Sequence, residues 1–352
     1  MAFNPSSLLE LRNLDVDEVI DVRSPSEFAL DHIPGAVNLP VLDDTERAEV
    51  GTVYVRDNRF RARKIGAAYV AQNAARHLQT YLADKPGGYH PMVYCWRGGQ
   101  RSGSFAAILQ QIGWRVELLE GGYQTYRRLV SENLYKTPLP CPVLVLDGNT
   151  GCAKTDLLLR LPSHGIQVID LEGLANHRGS IFGARVGGQP SQRAFESALA
   201  AAISQLDPTR PVVVEAESSR IGNVTIPPIL WEPMKAARRI AVAAPLTARA
   251  DYLTRTYVDL TDNPATLLAL VQRLSPLHAA TVIEDWSNLA QSGAFRELAA
   301  SLMQAHYDPR YGKKRMQVGR NAPLAFEMPS LNEEALDSGA ERLAIVVKAI
   351  GC

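Results

Sequence analysis

A cysteine followed by glycines and arginines is the first place where residue types and spacing could do chemistry. The stretch YCWRGGQRSGS (94–104) holds Cys95, with Arg101 after five intervening residues and Ser102 directly after the arginine. The apolar run before it predicts a strand, and the run after it predicts a helix, so Cys95 should lie at the end of a strand. Loop N–H groups and a helix N-terminus there would bind an anion and lower the pKa of a thiol.

Cys95 can be interpreted as a nucleophile, a metal ligand or an inert buried thiol, and most free cysteines are the last of these. A metal site is disfavoured because the chain has four cysteines and none is paired with another at ligand spacing. We interpret Cys95 as a nucleophile, since the glycines let backbone N–H groups converge and the arginines add positive charge. The residues predicted to bind the anion are Arg97, Gly98, Gly99, Arg101 and Ser102.

A second glycine-rich loop, GNTGCAKT (148–155), follows the predicted strand VLVLDG and precedes a predicted helix. It is similar to a Walker A loop, in which backbone N–H groups cradle phosphate, a lysine adds charge and a hydroxyl serves Mg²⁺. Ala153 stands where that pattern has glycine, and its Cβ would restrict the backbone or the approach of a phosphate. A structural turn is the alternative, and ATP hydrolysis does not follow from the motif. The predicted phosphate-binding residues are Gly148, Asn149, Thr150, Gly151, Cys152, Ala153, Lys154 and Thr155.

Two further segments carry polar residues in suggestive places. ANHRGSIFG (175–183) combines His177, Arg178 and Ser180 with glycines and predicts an anion-binding loop rather than a core element. PVVVEAESSRIG (211–222) predicts a strand that ends at Glu215 and Glu217, where phosphate-loop folds hold a metal or polarise water. A solvated sheet edge would account for the two glutamates equally well.

The composition is that of an ordinary globular protein. Of 352 residues, 46% are hydrophobic and 21% are charged, which excludes a disordered chain. The formal net charge of zero argues against a purely electrostatic nucleic-acid binder. No apolar run reaches membrane-spanning length, the N-terminus lacks the pattern of a signal peptide, and four scattered cysteines are typical of a reducing compartment. We therefore expect a cytoplasmic protein.

Contacts with RNA would require local basic patches, and several short basic clusters are present. Each alone is more typical of a solvated face, but several that converge could follow an RNA backbone. Phe60, Tyr126 and Tyr311 lie beside them and could stack on unpaired bases. The predicted RNA contacts are Arg59, Arg61, Arg63, Lys64, Arg127, Arg128, Lys313, Lys314 and Arg315.

Short apolar strands alternate with helical segments along the chain, which predicts an α/β fold with parallel sheets. The proline-rich stretch NLYKTPLPCP indicates a linker. We predict a first domain over residues 1–135, with helices on both faces of its sheet, and a linker over 136–142. The second domain, over 143–352, should be an α/β domain like that of P-loop NTPases, with a helical C-terminal part.

Four motifs together carry a resemblance to a known family. DVRSPSEFALDHIPGAVNLP (21–40) resembles the N-terminal signature of a rhodanese domain, and CWRGGQRS resembles its active-site loop. Rhodanese loops commonly have four residues between cysteine and arginine. Five, as here, are found in dual-specificity phosphatases and suit a phosphate-sized anion. With GNTGCAKT and ANHRGSIFG following in that order, the chain resembles the tRNA 2-selenouridine synthase family over nearly its whole length.

The resemblance implies a transferase that replaces the sulfur of wobble 2-thiouridine in tRNA by selenium from selenophosphate. The reaction would pass through S-geranyl-2-thiouridine made from geranyl diphosphate. Cys95 could accept selenium as a selenenylsulfide, and the loops at 148–155 and 175–183 could hold the diphosphate with Mg²⁺. No tightly bound cofactor is implied, and IPPILWEPM (226–234) is a candidate wall for the prenyl chain. The alternatives are a rhodanese- or phosphatase-like enzyme fused to a P-loop NTPase, and a non-catalytic RNA-binding module.

Overall fold

The structure, a computed structural model, describes residues 2–310 and 323–351 and divides the chain into two compact units. The first unit comprises Met1–Pro138 and Pro190–Gln205, and the second comprises Leu139–Gln189 and Leu206–Cys352. The predicted α/β class, with a parallel sheet in each half of the chain, is confirmed. Within the described ranges, none of the helices combines the length and apolarity needed to cross a membrane.

The sheet of the first unit has five strands, all paired in parallel. They are β1 (Ala2–Phe3), β2 (Glu18–Asp21), β3 (Val37–Asn38), β4 (Pro91–Tyr94) and β5 (Glu117–Leu119), in the order β1-β5-β4-β2-β3. The central strand β4 is fully buried, as its apolar sequence PMVY predicts. Its carboxyl end delivers Cys95 to the middle of the sheet edge, where ligands of parallel sheets bind.

Six helices follow these strands in the sequence of the first unit. They are α1 (Leu8–Arg12), α2 (Pro25–Leu30), α3 (Asp44–Arg56), α4 (Arg59–Gln79), α5 (Gln100–Ile112) and α6 (Gly122–Tyr135). The helix α2 begins with a capping box between Ser24 and Glu27, as its sequence predicts. The long helix α4 forms a hairpin with α3. The sequence did not reveal α3 because none of its residues is buried, so it has no apolar stripe to detect.

The sheet of the second unit also has five parallel strands, in the order β12-β11-β6-β8-β7. Their bounds are β6 (Val143–Gly148), β7 (Gln167–Ile169), β8 (Val212–Glu215), β11 (Arg238–Ala243) and β12 (Leu324–Glu327), while β9 (Arg220–Ile221) and β10 (Val224–Thr225) form a separate antiparallel pair. The glycine-rich loop leaves the central strand β6. The strand β8 ends at Glu215, so Glu217 lies beyond it.

The helices of the second unit include a largely helical stretch between β11 and β12. The bounds are α7 (Lys154–Arg160), α8 (Leu171–Ala175), α10 (Pro228–Ala236), α11 (Leu246–Thr256), α12 (Val258–Thr261), α13 (Pro264–Gln272), α14 (Ala280–Gln291), α15 (Phe295–Leu302) and α16 (Glu333–Gly351). A core of its own, with Trp286 and Val271 fully buried, holds α12 to α15 together. The predicted helical C-terminal part is therefore present, but the chain then returns to the sheet through β12.

One helix, α9 (Gln192–Ile203), lies between β7 and β8 in sequence but belongs to the first unit. Its Glu196 accepts hydrogen bonds from Arg127 and, at 2.8 Å, from Tyr135 of α6. Its Ser197 hydroxyl donates to the buried carboxylate of Asp31 at 2.9 Å. The compact units therefore differ from the predicted division at residues 136–142, because periodicity predicts that a helix is packed but not which domain it packs against.

Candidate functional site

Cys95 lies buried between the end of β4 and the start of α5, and its sulfur is engaged by that helix. The Ser102 hydroxyl donates to Sγ at 3.1 Å. Burial alone would raise the pKa of the Cys95 thiol. The hydrogen bond from Ser102, the backbone N–H groups of Ser102 and Arg97, and the charge of Arg101 outweigh that effect, so the pKa lies below its usual value. The lowered pKa expected from the sequence is confirmed, although Arg97 contributes through its backbone.

Arg101 is held in place by a residue that the sequence did not mark as functional. Its Nη1 donates to Oε2 of Glu27 at 2.7 Å, and Arg47 contacts the same oxygen at 2.9 Å. Burial would raise the pKa of Glu27, but the two arginines hold it below its usual value. Glu27 belongs to the segment that resembles the rhodanese signature, and here that segment fixes the guanidinium of the anion loop.

Two glycines let the Cys95 loop approach the turn before α6. Gly98 has a φ of +65°, and a Cβ there would lie 2.9 Å from the nitrogen of Gly121. Gly122 has a φ of +58°, and a Cβ there would lie 2.2 Å from the carbonyl oxygen of Cys95. The N–H of Tyr123 donates to that same oxygen at 2.8 Å. Gly122 is visible in the sequence as part of EGG, but nothing local to it indicates that it faces Cys95.

The second loop, at 148–155, connects β6 to α7. Ala153, the residue that departs from the pattern, has a φ of 55° and so adopts the left-handed conformation that glycine normally supplies. Lys154 folds back over the loop, and its Nζ donates to the carbonyl oxygens of Gly148 at 3.0 Å and Asn149 at 3.2 Å. The side chains of Cys152 and Ala153 are buried in the core, so only their backbone atoms can face an anion.

A pair of carboxylates lies beside Lys154. Thr155 donates to Oε2 of Glu172 at 3.3 Å. Burial, then the charge of Glu172 and a hydrogen bond to it, raise the pKa of Glu217 to about 7 against the opposing charge of Lys154. Burial also raises the pKa of Glu172, although Lys154 and Arg185 oppose it. Both carboxyl groups are therefore more readily protonated than an ordinary glutamate, and sequence reasoning missed Glu172.

The two glutamates that the sequence placed together have different surroundings. Glu215 is fully buried and accepts from the N–H of Leu171 at 3.0 Å, so it holds the start of α8. Burial first, then the charges of Asp170 and Glu172, raise the pKa of Glu215 well above its usual value. In the part of the chain that the structure covers, no three or more His, Cys, Asp or Glu side chains are grouped to hold a metal ion.

The loop at 175–183 lies against Glu217. A Cβ on Gly179 would come within 2.7 Å of the Glu217 carboxylate oxygens. The N–H of Gly179 donates to Nδ1 of His177 at 3.1 Å. Arg178 forms two hydrogen bonds with Asp259, at 2.8 and 3.0 Å, and lies 4.3 Å from the ring centre of Tyr257. The predicted phosphate ligand Arg178 is thus bound by α12 in this structure.

An apolar cavity opens beside both loops. The cavity is partly open to solvent. Thr150 of the 148–155 loop and Ser180 of the 175–183 loop supply its polar edge, and none of residues 226–234 lines it. The remaining lining residues are Phe182, Leu253, Thr254, Tyr257, Leu260, Thr261, Leu267, Phe295, Leu298, Ala299, Leu302, Met303 and Tyr307.

Arg249 on α11 connects the helical part to the 148–155 loop. Its side chain is buried, and its Nη1 donates to the carbonyl oxygen of Thr150 at 3.1 Å. The same guanidinium is paired with Asp308 at 2.8 and 3.0 Å. Arg249 thus positions Thr150, which also lines the cavity. No motif in the sequence identifies Arg249.

The basic residues proposed to contact RNA differ in how they are presented. Arg59, Arg61, Arg63 and Lys64 are exposed near the start of α4. Beside them, on the surface formed by residues 54–64 and called the hairpin tip below, Phe60 is 73% exposed. Arg127 is instead bound to buried Glu196, and Arg128 is paired with Glu132 at 3.0 Å.

Tyr126 is 2% exposed, so the expectation that it stacks on a base is wrong. Four further RNA-contact candidates lie outside the described residues, namely Tyr311, Lys313, Lys314 and Arg315.

Comparison with known proteins agrees with both halves of the fold. The profile described as "tRNA 2-selenouridine synthase AAA domain" matches residues 141–281, and the profile of the rhodanese-like domain matches residues 4–129. A relative from Cupriavidus pinatubonensis is 34% identical over 331 residues, which are 92% of this chain and 81% of the relative. One from Shewanella halifaxensis is 35% identical over 266 residues, which are 73% of this chain and 71% of the relative.

A third relative, from Chromohalobacter salexigens, is 40% identical over 242 residues, which are 68% of this chain. The match spans 65% of that relative's own length, and the corresponding shares are 66% for Alcanivorax borkumensis and 63% for Hahella chejuensis. All five relatives carry the name tRNA 2-selenouridine synthase. The chain belongs to the tRNA 2-selenouridine synthase family.

Proposed function

We propose that the chain replaces the sulfur of wobble 2-thiouridine in tRNA by selenium, using selenophosphate, through an S-geranyl intermediate made from geranyl diphosphate. The observation that carries this proposal is the apolar cavity whose edge includes Thr150 of the phosphate loop. An allylic diphosphate has a doubly charged head and a long apolar tail, and the second unit offers adjoining surfaces for both. A nucleotide would leave such a cavity unused.

The head group would bind the N–H groups of the 148–155 loop, with Lys154, His177 and Ser180 around it. Burying the tail in the cavity would contribute about 0.8 kcal/mol for each CH₂ removed from water. As the allylic carbon–oxygen bond breaks, negative charge grows on the departing diphosphate. Lys154, already held at the loop by two carbonyl oxygens, is placed to stabilise that charge.

Mg²⁺ fits the donor atoms at this loop, since the Thr155 hydroxyl and the Glu172 carboxylate are oxygen ligands 3.3 Å apart. When bound there with phosphate oxygens, the ion would neutralise part of the charge of the leaving diphosphate. Because the described residues offer no group of three acidic or nitrogen ligands, the substrate itself would complete the coordination.

Glu217, which is not a ligand of that ion, supplies the general base that this step needs. When the sulfur of 2-thiouridine bonds to the allylic carbon, the thiouracil ring must lose the proton on its N3 atom. A group whose pKa is about 7, as for Glu217, accepts a proton efficiently at neutral pH. The product carries a thioether in place of the thiocarbonyl, and its sulfur is then a better leaving group.

Selenium delivery would take place at the Cys95 loop in the first unit. Selenophosphate is a tetrahedral anion, and the loop surrounds a thiol of lowered pKa with N–H groups and Arg101. The tRNA would be held in part by the hairpin tip, through Arg59, Arg61, Arg63 and Lys64, with Phe60 available to stack on an unpaired base.

The test measures ligand binding to the second unit in the full-length protein by calorimetric titration. Geranyl diphosphate should bind more tightly than inorganic diphosphate or ATP. Phe295→Ala, in the cavity wall, should weaken geranyl diphosphate about tenfold and leave inorganic diphosphate unchanged. Lys154→Ala should weaken both ligands, whereas Phe60→Ala at the exposed hairpin tip serves as the matched control.

The main alternative, a rhodanese- or phosphatase-like enzyme fused to a P-loop NTPase, gives the opposite pattern. It predicts tight ATP binding, ATP hydrolysis stimulated by tRNA, and geranyl diphosphate affinity that neither Lys154→Ala nor Phe295→Ala changes. That set of results would replace the proposal.

A further inference from the structure

We propose that Cys95 accepts the phosphoryl group of selenophosphate, not its selenium, and thereby frees selenide to attack the tRNA. This inference rests on the proposed function and names the step that takes place at the Cys95 loop. It replaces the selenenylsulfide that the rhodanese resemblance implies.

The first argument is the orientation that the loop imposes on its anion. The groups around Cys95 are N–H donors and the guanidinium of Arg101, which is fixed by Glu27 at 2.7 Å. Such donors bind phosphate oxygens, which carry concentrated charge, better than the larger and softer selenium. The three oxygens therefore face the loop, phosphorus lies above the sulfur, and the phosphorus–selenium bond points away in line with the attacking thiolate.

The second argument is the balance of electrons. In the proposed step the thiolate electron pair forms a sulfur–phosphorus bond, and the electrons of the phosphorus–selenium bond leave with selenium. The selenide takes one proton from solvent and departs as hydrogen selenide ion, so neither phosphorus nor selenium changes oxidation state. A selenenylsulfide would instead require selenium to lose two electrons, which needs either phosphite as the leaving group or an oxidant.

The third argument is that the carboxylate in contact with Arg101 cannot act as a general acid. The carboxylate that contacts this arginine, Glu27, also contacts Arg47, and its pKa is lowered by both. It stays ionised at neutral pH and cannot protonate an alkoxide, as cleavage of an ordinary phosphate ester would require. Hydrogen selenide ion is a weak base, and the one proton that selenium needs as it leaves phosphorus comes from solvent. The site thus fits selenophosphate better than a phosphate ester.

Ser102 then completes the cycle. Water attacks the phosphorus of the phosphocysteine, the sulfur–phosphorus bond breaks, and the products are inorganic phosphate and the Cys95 thiolate. The Ser102 hydroxyl, which donates to Sγ at 3.1 Å, stabilises the sulfur as it regains its negative charge. Ser102→Ala should therefore slow this hydrolysis about tenfold and let the phosphocysteine accumulate.

The experiment follows phosphorus and selenium separately in the full-length protein, under anaerobic conditions, with selenophosphate and tRNA carrying S-geranyl-2-thiouridine. Rapid denaturation and mass spectrometry of the Cys95 peptide distinguish the two adducts. They have nearly the same nominal mass, but only selenium gives its many-isotope pattern. Phosphorus NMR spectroscopy identifies the released product. A parallel reaction with Cys95→Ala corrects for the spontaneous hydrolysis of selenophosphate.

The proposal predicts phosphate as the product, and a phosphorylated Cys95 that is more abundant in Ser102→Ala than in the unaltered protein or in Ser104→Ala, the matched exposed serine. Selenium bound to Cys95 would overturn the proposal, and so would the release of phosphite. It would also be overturned if Ser102→Ala formed selenouridine while no phosphorus was found on Cys95. The product measurement needs only the unaltered protein and Cys95→Ala, so it holds even if Ser102→Ala misfolds. If selenouridine never forms, the proposed function fails instead.

Discussion

The Thr155 hydroxyl donates a hydrogen bond to Oε2 of Glu172 at 3.3 Å, which joins the 148–155 loop to a carboxylate on α8, the helix that follows β7. Through Glu172 the loop is coupled to Glu217, whose pKa is raised to about 7. A lysine, a hydroxyl and a carboxylate pair are thus assembled at the carboxyl ends of β6, β7 and β8. Under the proposed function, this combination would bind the diphosphate and accept a proton at one site.

The pH dependence of geranylation should reveal the Glu217 proton. Because burial and Glu172 raise its pKa to about 7, Glu217 is largely protonated below that pH and becomes a base as the pH rises. The rate of geranylation should therefore increase through about pH 7 and then level off. Glu217→Gln should lower the rate and remove this step from the profile, whereas Glu341→Gln, an exposed glutamate on α16, should not.

A step in the profile that survives in Glu217→Gln would assign the proton to another group.

The raised pKa of Glu217 also affects folding, because it favours the protonated carboxyl in the folded state. The stabilising contribution of Glu217 is present at low pH and is lost as the pH rises through about 7.

Gly122→Ala should disable the Cys95 loop although residue 122 bears no functional group. Its Cβ would lie 2.2 Å from the carbonyl oxygen of Cys95, and its positive φ disfavours any side chain. The loop must shift, so selenation and the reactivity of Cys95 towards a small alkylating reagent should fall. Gly113→Ala is the matched control, since its φ is also positive but no atom lies within 4 Å of the added Cβ. Equal effects of the two would show that strain alone, not contact with Cys95, is responsible.

The hairpin tip should contribute to tRNA affinity in a salt-dependent way. Each phosphate contact adds about −0.9 to the slope of log K against log salt when the nucleic acid is a duplex, and about −0.7 when it is single-stranded. The double variant Arg59→Gln, Arg63→Gln should make this slope shallower by the amount expected for the loss of about two phosphate contacts. Arg12→Gln on α1 should not change the slope. Phe60→Ala should weaken binding without changing the slope, because stacking carries no net charge. Unchanged affinity in both tip variants would place the RNA surface elsewhere.

The motifs that the sequence revealed are those whose residues are contiguous. Cys95 to Ser102 and the 148–155 loop each form one turn of backbone between a strand and a helix, so the pattern alone predicts their geometry. The left-handed conformation at Ala153 shows that the geometry can persist when the pattern departs at one position.

Residues that act from a distance could not be found in this way. Glu27 reaches Arg101, and Arg249 reaches Thr150, across long stretches of sequence, and only packing brings them together. The sequence predicted that Arg178 belongs to an anion-binding loop, but its partner Asp259 lies on a helix that no pattern connects to that loop. The placement of α9 with the first unit was hidden for the same reason.

The most direct test of the two-site account is nucleoside analysis of tRNA after reaction with the purified full-length protein, geranyl diphosphate and selenophosphate. The unaltered protein should convert wobble 2-thiouridine into 2-selenouridine. Cys95→Ala should stop at S-geranyl-2-thiouridine, and Lys154→Ala should leave 2-thiouridine unchanged. Supplying geranylated tRNA to Lys154→Ala should restore 2-selenouridine. Selenouridine formed at the normal rate by Cys95→Ala, or geranylation that proceeds normally in Lys154→Ala, would contradict the account.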